Sequence, residues 1–492
     1  MNNSPLFDVI IIGAGLSGIG AAYHIQNDCP DHSFAILEGR GSMGGTWDLF
    51  RYPGIRSDSD MYTLGFSFYP WKNPKAIADG PAILSYIKET SRHFGIDQHI
   101  RFHHRVISAD WSDKDQIWTL EIASHPEVEN QVFQCRFLFA CSGYYSYEAG
   151  YEPVFPGRDS FEGKVIHPQK WDTNLDYANQ KIVVIGSGAT AVTLVPELAK
   201  VAEEVVMLQR TPTYIVNLPS EDVLGNFLKK ILPIKLAHKI IRWKNILFSM
   251  GFYQAAQKWP KTIRRYIQKK IQEELGSVYQ EKDFDPPYNP WDQRLCLVPD
   301  GDFFHALAAG KARIVTDTIE RFTSKGILLQ SGNELSADII ITATGLQIQM
   351  LGGMEVSRNE EPVEIKDIHC YKGVMFSEIP NFALALGYTN ASWTLKCDLN
   401  CKFVTRVLNY MKKHDYQTCT PRFDPQRFDS EPLLNLSSGY VQRALDELPK
   451  QGSAAPWKVY QNYFKDLLAL KWSGVDDKYL IFFSKHKSPN HK

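Results

Sequence analysis

The chain has 492 residues and a net charge of −1 at pH 7, which gives no electrostatic reason to expect nucleic acid as a partner. With 44% hydrophobic and 22% charged residues it has the composition of a soluble globular protein, and its length predicts two or three domains. Eight scattered cysteines fit a reduced, cytoplasmic compartment better than a disulfide framework.

The chain opens MNNSPLFDVIIIGAG, which lacks the basic region, longer apolar core and cleavage site of a secretory signal, so its apolar run reads as a buried strand. Nowhere do 18 apolar residues run together, so no membrane span is expected. FDVIIIGAGLSGIGAAYHI (7–25) is an apolar strand, the turn Gly13-x-Gly15-x-x-Gly18, and a helix start. The first glycine permits a tight turn, the second lets a pyrophosphate approach the backbone, and the third lets helix and strand pack closely. The next strand, SFAILE, ends at Glu38, twenty residues past Gly18, where a carboxylate can take ribose hydroxyls.

A second copy follows at KIVVIGSGATAVTLVPELA (181–199), where Gly186, Gly188 and Ala191 hold the glycine positions and Ser187, Ala189, Thr190 and Val192 complete the turn. Its following strand, EEVVMLQRTPTY, ends in Gln209, Arg210 and Thr211 instead of an acid. An arginine there pairs with a 2′-phosphate, which predicts NADPH at this site. NADPH gives up a hydride but does not react usefully with oxygen, whereas a flavin accepts the hydride and passes electrons on, so the first site is assigned FAD.

From Val223 to Gln272 there are twelve Lys/Arg and no Asp or Glu, interleaved with Phe227, Trp243, Phe248, Phe252, Trp259 and Tyr266. The pattern predicts a helical insert whose basic face meets acidic surface of its own protein or an anionic cofactor. The other reading is a weak peripheral association with an anionic membrane. The strands FLFACSG (137–143) and ADIIITATG (337–345) end in small-residue turns and read as places where the chain crosses between domains. The expected fold is α/β, with two Rossmann-like dinucleotide-binding domains. A discontinuous FAD domain takes 1–148 and 347–492, and an NADPH domain takes 149–346 with a helical insert at about 218–288. In KCDLNCKF, Cys397 and Cys401 have helical spacing but no second Cys/His pair, so they read as core thiols and no metal site is expected. Asn390 or Ser392 in GYTNASWTLK suits a helix cap.

Between the two glycine turns lies FEGKVIHPQKWD (161–172), which matches FxGxxxHxxxW[P/D] through Phe161, Gly163, His167, Trp171 and Asp172. Through this fingerprint the chain resembles the type I Baeyer-Villiger monooxygenases, which are class B flavoprotein monooxygenases. The stretches 43–71, 288–302 and 387–396 extend the likeness over nearly the whole chain. Related heteroatom-oxidising flavin monooxygenases usually carry Tyr or Phe in place of Trp171. A flavin disulfide reductase would need a paired redox cysteine, and no CxxC or CxxxxC lies near either glycine turn.

The resemblance implies that the fingerprint lies on the link between the domains and that His167 helps the NADPH domain reposition. For FAD it implies Gly13, Gly15, Ser17, Gly18, Glu38, the turn Thr46, Trp47, Asp48 and Leu49, and the backbone of Val106. Arg56, Ser57 and Asp58 form a loop shared between flavin and nicotinamide, and Gly186 to Val192 with Arg210 and Thr211 hold NADPH. Arg294 matches the catalytic arginine, oriented by Asp58, while Gln293 stands where many relatives have a lysine. Trp393 is placed at the pocket. The implied reaction uses NADPH and O2 to convert aryl or aliphatic ketones to esters or lactones through a flavin C4a-peroxide, with sulfide or thioamide S-oxidation beside it. The alternative is a heteroatom-oxidising monooxygenase without ketone activity.

Overall fold

The computed structural model describes residues 5–126, 131–434 and 438–484. Strand β1 (Leu6–Ile12) runs into helix α1 (Leu16–Asp28) and then β2 (Phe34–Leu37), which lies parallel to β1. Residues Val9 to Ile12 are buried without alternation, as expected of a parallel strand covered on both faces. Strands β3 (Val106–Ser112), β4 (Ile117–Ile122) and β5 (Val132–Ala140) form an antiparallel meander whose last strand returns parallel to β1.

The chain then leaves this sheet through β6 (Tyr145–Gly150) and enters a second one. There β7 (Lys164–Ile166), β8 (Lys181–Ile185), β9 (Glu204–Gln209), β10 (Ala312–Thr316) and β11 (Ile339–Thr342) are all parallel, in the order β10-β9-β8-β11-β7. Helix α2 (Ala189–Leu198) follows β8 and repeats the strand-turn-helix plan of β1 and α1. After β11 the chain passes through β12 (Leu346–Ile348) and rejoins the first sheet, where Glu355–Arg358 pairs with β3 and Phe382–Leu384 with β5.

The two passages between the sheets are paired with each other. β6 and β12 form an antiparallel ribbon with Gly150 opposite Leu346 and Tyr145 opposite Ile348. His167 sits on that ribbon, its Nε2 3.1 Å from the Gly345 carbonyl and its Nδ1 accepting the Gln169 amide at 3.2 Å. The two contacts together fix the neutral tautomer with the proton on Nε2. Burial holds its pKa below the ordinary value, though the Gly345 carbonyl pulls the other way. A Cβ on Gly150 would stand 1.9 Å from the imidazole, so a larger residue here would displace His167. Gly163 is equally constrained: a Cβ would meet the Asp338 carbonyl at 2.3 Å and the Phe161 ring at 2.5 Å.

The helical insert comprises α3 (Val223–Ile231), α4 (Ile234–Lys258) and α5 (Pro260–Leu275). Although all three interrupt the second sheet in sequence, α4 buries Ala237, Ile241 and Ile246 in the core of the first sheet. Ile267, Ile271 and Leu275 of α5 join the core of the second. The buried Arg242 ties α4 down by donating to the carbonyls of Tyr62, Thr63 and Gly65 at 2.7, 3.3 and 2.8 Å. Some of the insert's basic residues do meet its own protein, as in Lys244 with Asp222 and Arg264 with Asp285.

Helix α6 (Trp393–His414) packs along α1 and carries Cys397 and Cys401, both buried. The contact is closed by a charged cluster. His24, 3% exposed, places Nε2 2.8 Å from Asp398 and Nδ1 3.4 Å from Asp28. Burial lowers the pKa of His24, but the hydrogen bonds to Asp28 and Asp398 outweigh it and raise the net value. Because the folded pKa lies above the unfolded one, the stabilisation is complete below the unfolded pKa near 6.5 and is lost as pH rises through the folded pKa. We therefore expect the stability to chemical denaturation contributed by this cluster to fall above about pH 6.5, and His24→Gln to flatten that slope. Urea titrations of both proteins at several pH values measure this, and parallel pH dependences would refute it.

Candidate active site

At the first glycine turn, Gly13 has φ +99 and a Cβ there would lie 2.9 Å from the Cys141 carbonyl. Gly18 packs so closely under it that a Cβ would fall 1.8 Å from the Gly13 carbonyl. Gly15 is the N-cap of α1, with no side chain capping the helix and no acid in its first turn. The free N–H groups and dipole of that end suit a phosphate. Glu38 is buried at 7% exposure and its two oxygens accept the amides of Ala14 at 2.8 Å and Arg40 at 2.9 Å. Burial raises its pKa, against the pull of these two amides.

The remaining residues expected at this turn have definite places. Ser17 turns its hydroxyl to α6, accepting from the Trp393 indole at 3.0 Å and donating to the Cys397 sulfur at 3.4 Å, so its side chain faces protein. Thr46, Trp47, Asp48 and Leu49 form one helical turn after Gly44 and Gly45, which both have positive φ. The Asp48 carboxylate is taken by Arg40 at 2.8 Å and Arg51 at 2.9 Å. Val106 begins β3 and is buried at 5% exposure.

At the second turn Gly186 has φ +128, and a Cβ would lie 2.4 Å from the Ala343 carbonyl. Gly188 is the N-cap of α2, which likewise has no capping side chain and no acid in its first turn, and a Cβ on Gly188 would meet nothing within 4 Å. Ser187 donates to the Thr211 carbonyl at 3.0 Å, tying the turn to the end of β9. Ala189 and Thr190 start α2, and Ala191 and Val192 are buried beneath it. Arg210 is exposed at the end of β9 and has no ion pair among the described residues.

The loop 52–58 connects the two turns. Tyr52 packs against the core of the second sheet, to which α2 contributes. Gly54 lies on the same helix, where a Cβ would meet the Glu197 side chain at 2.3 Å and the Thr193 carbonyl at 3.1 Å. Arg56 is paired with Asp302, and Ser57 is buried, its amide donating to the Ala78 carbonyl at 2.9 Å. Asp58, half exposed, meets Arg294 at 3.3 Å.

Arg294 also donates from Nε to the Thr389 carbonyl at 3.2 Å. Burial opposes its charge, but Tyr144, Asp58, Tyr145 and Tyr440 more than offset this and raise its pKa further. Burial lifts the Tyr145 phenol well above its ordinary value and Tyr440 to about 12. The Tyr144 and Tyr145 hydroxyls stand 2.6 Å apart, and the Tyr144 ring stacks on Trp393 at 4.9 Å. Sequence reasoning missed this tyrosine set and Asp302. The run GYYSY, sitting on the crossing between domains, was the available signal for the first two.

The loop bearing Thr389 is held by Gln461, whose side-chain oxygen accepts the Thr389 amide at 3.1 Å and hydroxyl at 3.2 Å, while Asn390 donates to the Gln461 carbonyl at 2.9 Å. Ser392 is the N-cap of α6, but its hydroxyl pairs with Thr63 at 2.6 Å and caps no helix amide. A narrow cavity opens beside this loop, walled by Met250 and Tyr253 of α4, Tyr388, Leu395, Gln461 and Tyr463.

Two strand-glycine-helix turns in separate sheets, bridged by one loop and a guanidinium, define a two-nucleotide oxidoreductase. Residues 8–418 match the model of the flavin-binding monooxygenase-like family, and the chain belongs to that family of flavoprotein monooxygenases. It is 54% identical over 477 residues to the FAD-containing monooxygenase EthA of Mycobacterium tuberculosis, covering 96% of this chain and 97% of that one. It is 47% identical over 487 residues to the probable FAD-binding monooxygenase AlmA of Acinetobacter baylyi, covering 99% and 98%. Among solved structures the fold is shared with cyclohexanone monooxygenase in its open form (TM-score 0.72, 21% identity, covering 86% and 91%). It is also shared with OTEMO in complex with FAD and NADP (TM-score 0.70, 23% identity, covering 85% and 88%).

The exposed position of Arg210 leads to a direct expectation. Arg210→Ala should raise KM for NADPH and leave that for NADH almost unchanged, because losing a charge-assisted phosphate contact costs about 1.5 to 3 kcal/mol. Initial rates with both coenzymes test this, and equal losses would remove Arg210 from the phosphate site.

Proposed function

We propose that this chain is an FAD-containing, NADPH- and O2-dependent monooxygenase of the Baeyer-Villiger type, converting aryl or aliphatic ketones to esters or lactones and also oxidising sulfides or thioamides. The observation that carries the reading is Arg294, a permanently charged group beside Asp58 and Thr389 where the shared loop joins the two nucleotide turns.

The residues present fit both cofactors. The first turn, on residues 1–148 and 347–492, takes FAD: α1 offers its uncapped amides to the pyrophosphate, and Glu38, held by two backbone amides, keeps acceptor capacity for ribose hydroxyls. The second, on residues 149–346, takes NADPH through the amides of Ser187 to Val192 and the free Arg210. Bound FAD, reduced by NADPH, supplies the oxygen activation.

The protein's own part is then electrostatic and steric. Arg294 stabilises negative charge that develops at the reacting oxygen, and Asp58 and the Thr389 carbonyl aim its guanidinium. Gln461 is a positioning residue acting through Thr389. Tyr145 and Tyr440 stay protonated and exclude water around the charge. His167, neutral and bonded to the β6–β12 joint, is placed to govern how the NADPH-binding part sits on the rest. The cavity lined by Met250, Leu395 and three tyrosines lies beside the Thr389 loop and, at about 10 Å³, holds no more than a water molecule. Peripheral membrane contact through the basic 223–272 segment is independent of this chemistry; among the described residues no helix is long and apolar enough to cross a membrane.

Arg294→Ala separates the two halves of the reaction. Hydride transfer needs the nicotinamide near the flavin, whereas product formation needs the cation. The variant should bind both cofactors and consume NADPH, yet release hydrogen peroxide in place of ester, with ester formation down about a hundredfold to a thousandfold. NADPH, peroxide and ester are measured in one vessel with a methyl ketone. Ester at the parental rate would exclude Arg294 as the stabiliser, and an active parent that oxidises sulfides but no ketone would favour the heteroatom-oxidising alternative.

A further inference from the structure

The insert exposes far more apolar surface than packing explains. On α3, Val223, Leu224, Phe227 and Ile231 are 80%, 53%, 56% and 58% exposed, and at 100° per residue all four fall within one third of the helix circumference. On α4, Leu236, Ile240 and Leu247 are exposed and, at 100° per residue, fall within about 40° of one another, while Phe248, also exposed, projects about 80° from the nearest of them. A third ridge comes from the C-terminal part of the chain, where Phe464, Leu468 and Trp472 recur every four residues and are all exposed. Trp243 of α4 stacks on Phe464 with ring centres 6.2 Å apart, so the second and third ridges adjoin.

Charge accompanies these ridges. Lys230, Lys235, Lys239, Lys465 and Lys471 are exposed and carry no ion pair among the described residues. The only acid between Gln461 and Trp472, Asp466, is buried. Exposed Phe, Trp and Leu ringed by free lysines match a bilayer whose headgroups are anionic and whose interior is apolar. The inner sides of the same two elements wall the cavity, through Met250 and Tyr253 of α4 and through Gln461 and Tyr463.

We propose that this face docks on an anionic membrane surface with Phe227, Phe248 and Trp472 dipping below the headgroups, and that membrane-dissolved apolar substrate passes from there between α4 and the 461–472 segment toward Thr389 and Arg294. The delivery step rests on the function proposed above; the docking step does not.

The test uses the FAD-loaded full chain and vesicles of phosphatidylglycerol with phosphatidylcholine, or of phosphatidylcholine alone, in flotation assays. Binding should favour the anionic vesicles, weaken with salt, and drop about tenfold or more in the triple variant Phe227→Ser, Phe248→Ser, Trp472→Ser. The same variant should keep the parental rate on a water-soluble methyl ketone and lose rate on a long-chain ketone presented in vesicles. Absence of parental binding to either vesicle would overturn the docking. So would a parental dimer in light scattering that the triple variant splits, since the face would then be a contact between two copies. Equal loss of rate on both ketones would overturn the delivery step. Vesicle binding by a parent inactive on ketones and sulfides would leave the docking standing and refute the proposed function.

Discussion

The two passages of the chain between its sheets are hydrogen-bonded to each other, and the geometry of the site depends on this pairing. A chain that crosses twice could let its halves drift apart at both crossings. Here β6 and β12 form a short antiparallel ribbon, and the Gly345 carbonyl, at φ +108, accepts from the His167 imidazole, which a Cβ on Gly150 would expel. Such a ribbon is weak in isolation, since a lone two-stranded pair is marginally stable in water. Its position makes it effective: Tyr144 and Tyr145 sit at its start, so the same few residues that join the sheets also wall the guanidinium of Arg294.

Much of the plan was legible because it is written locally. A glycine turn followed by a helix needs particular residues within six positions, and Gly13, Gly18 and Gly186 are fixed by carbonyls that a Cβ would strike. The fingerprint glycine at 163 is explained in the same way, by the backbone of Asp338 and the ring of Phe161. The expected burial of Cys397 and Cys401 followed from helical spacing and is what α6 displays.

What the sequence hid is long-range. Asp302 lies 246 residues from its partner Arg56, and nothing around either residue announces the pair. Helix α4 reads as part of an insert in the second half, yet its apolar stripe is buried against the first, because a periodic pattern says that a face is covered without saying by what. Ser17 and Ser392 show the same limit at single side chains. Ser392 was expected to cap a helix start and Ser17 to serve the FAD site, but Thr63 and Trp393, more than 300 residues away in the chain, claim their hydroxyls. Propensity for a cap is a small local term, and a tertiary partner of comparable strength displaces it.

Two arginines stand at the shared loop, and their surroundings give them different work. Arg56 has a side chain only 10% exposed and is paired with Asp302 through two guanidinium nitrogens, so removing it from that contact would strand a largely buried charge. It is therefore held as a strut between the loop and the second half of the chain. Arg294 meets Asp58 at 3.3 Å through one nitrogen, and the Asp58 side chain is 53% exposed. A pair of that kind contributes about 0 to 1 kcal/mol in water, too little to fix the guanidinium against a stronger anion. Asp58 can aim Arg294 without neutralising it, which is the condition for a cation that must answer charge appearing elsewhere in the site. The contrast gives the buried Arg56 a structural role, while Arg294, held by one half-exposed carboxylate and one carbonyl, is the arginine the proposed chemistry uses.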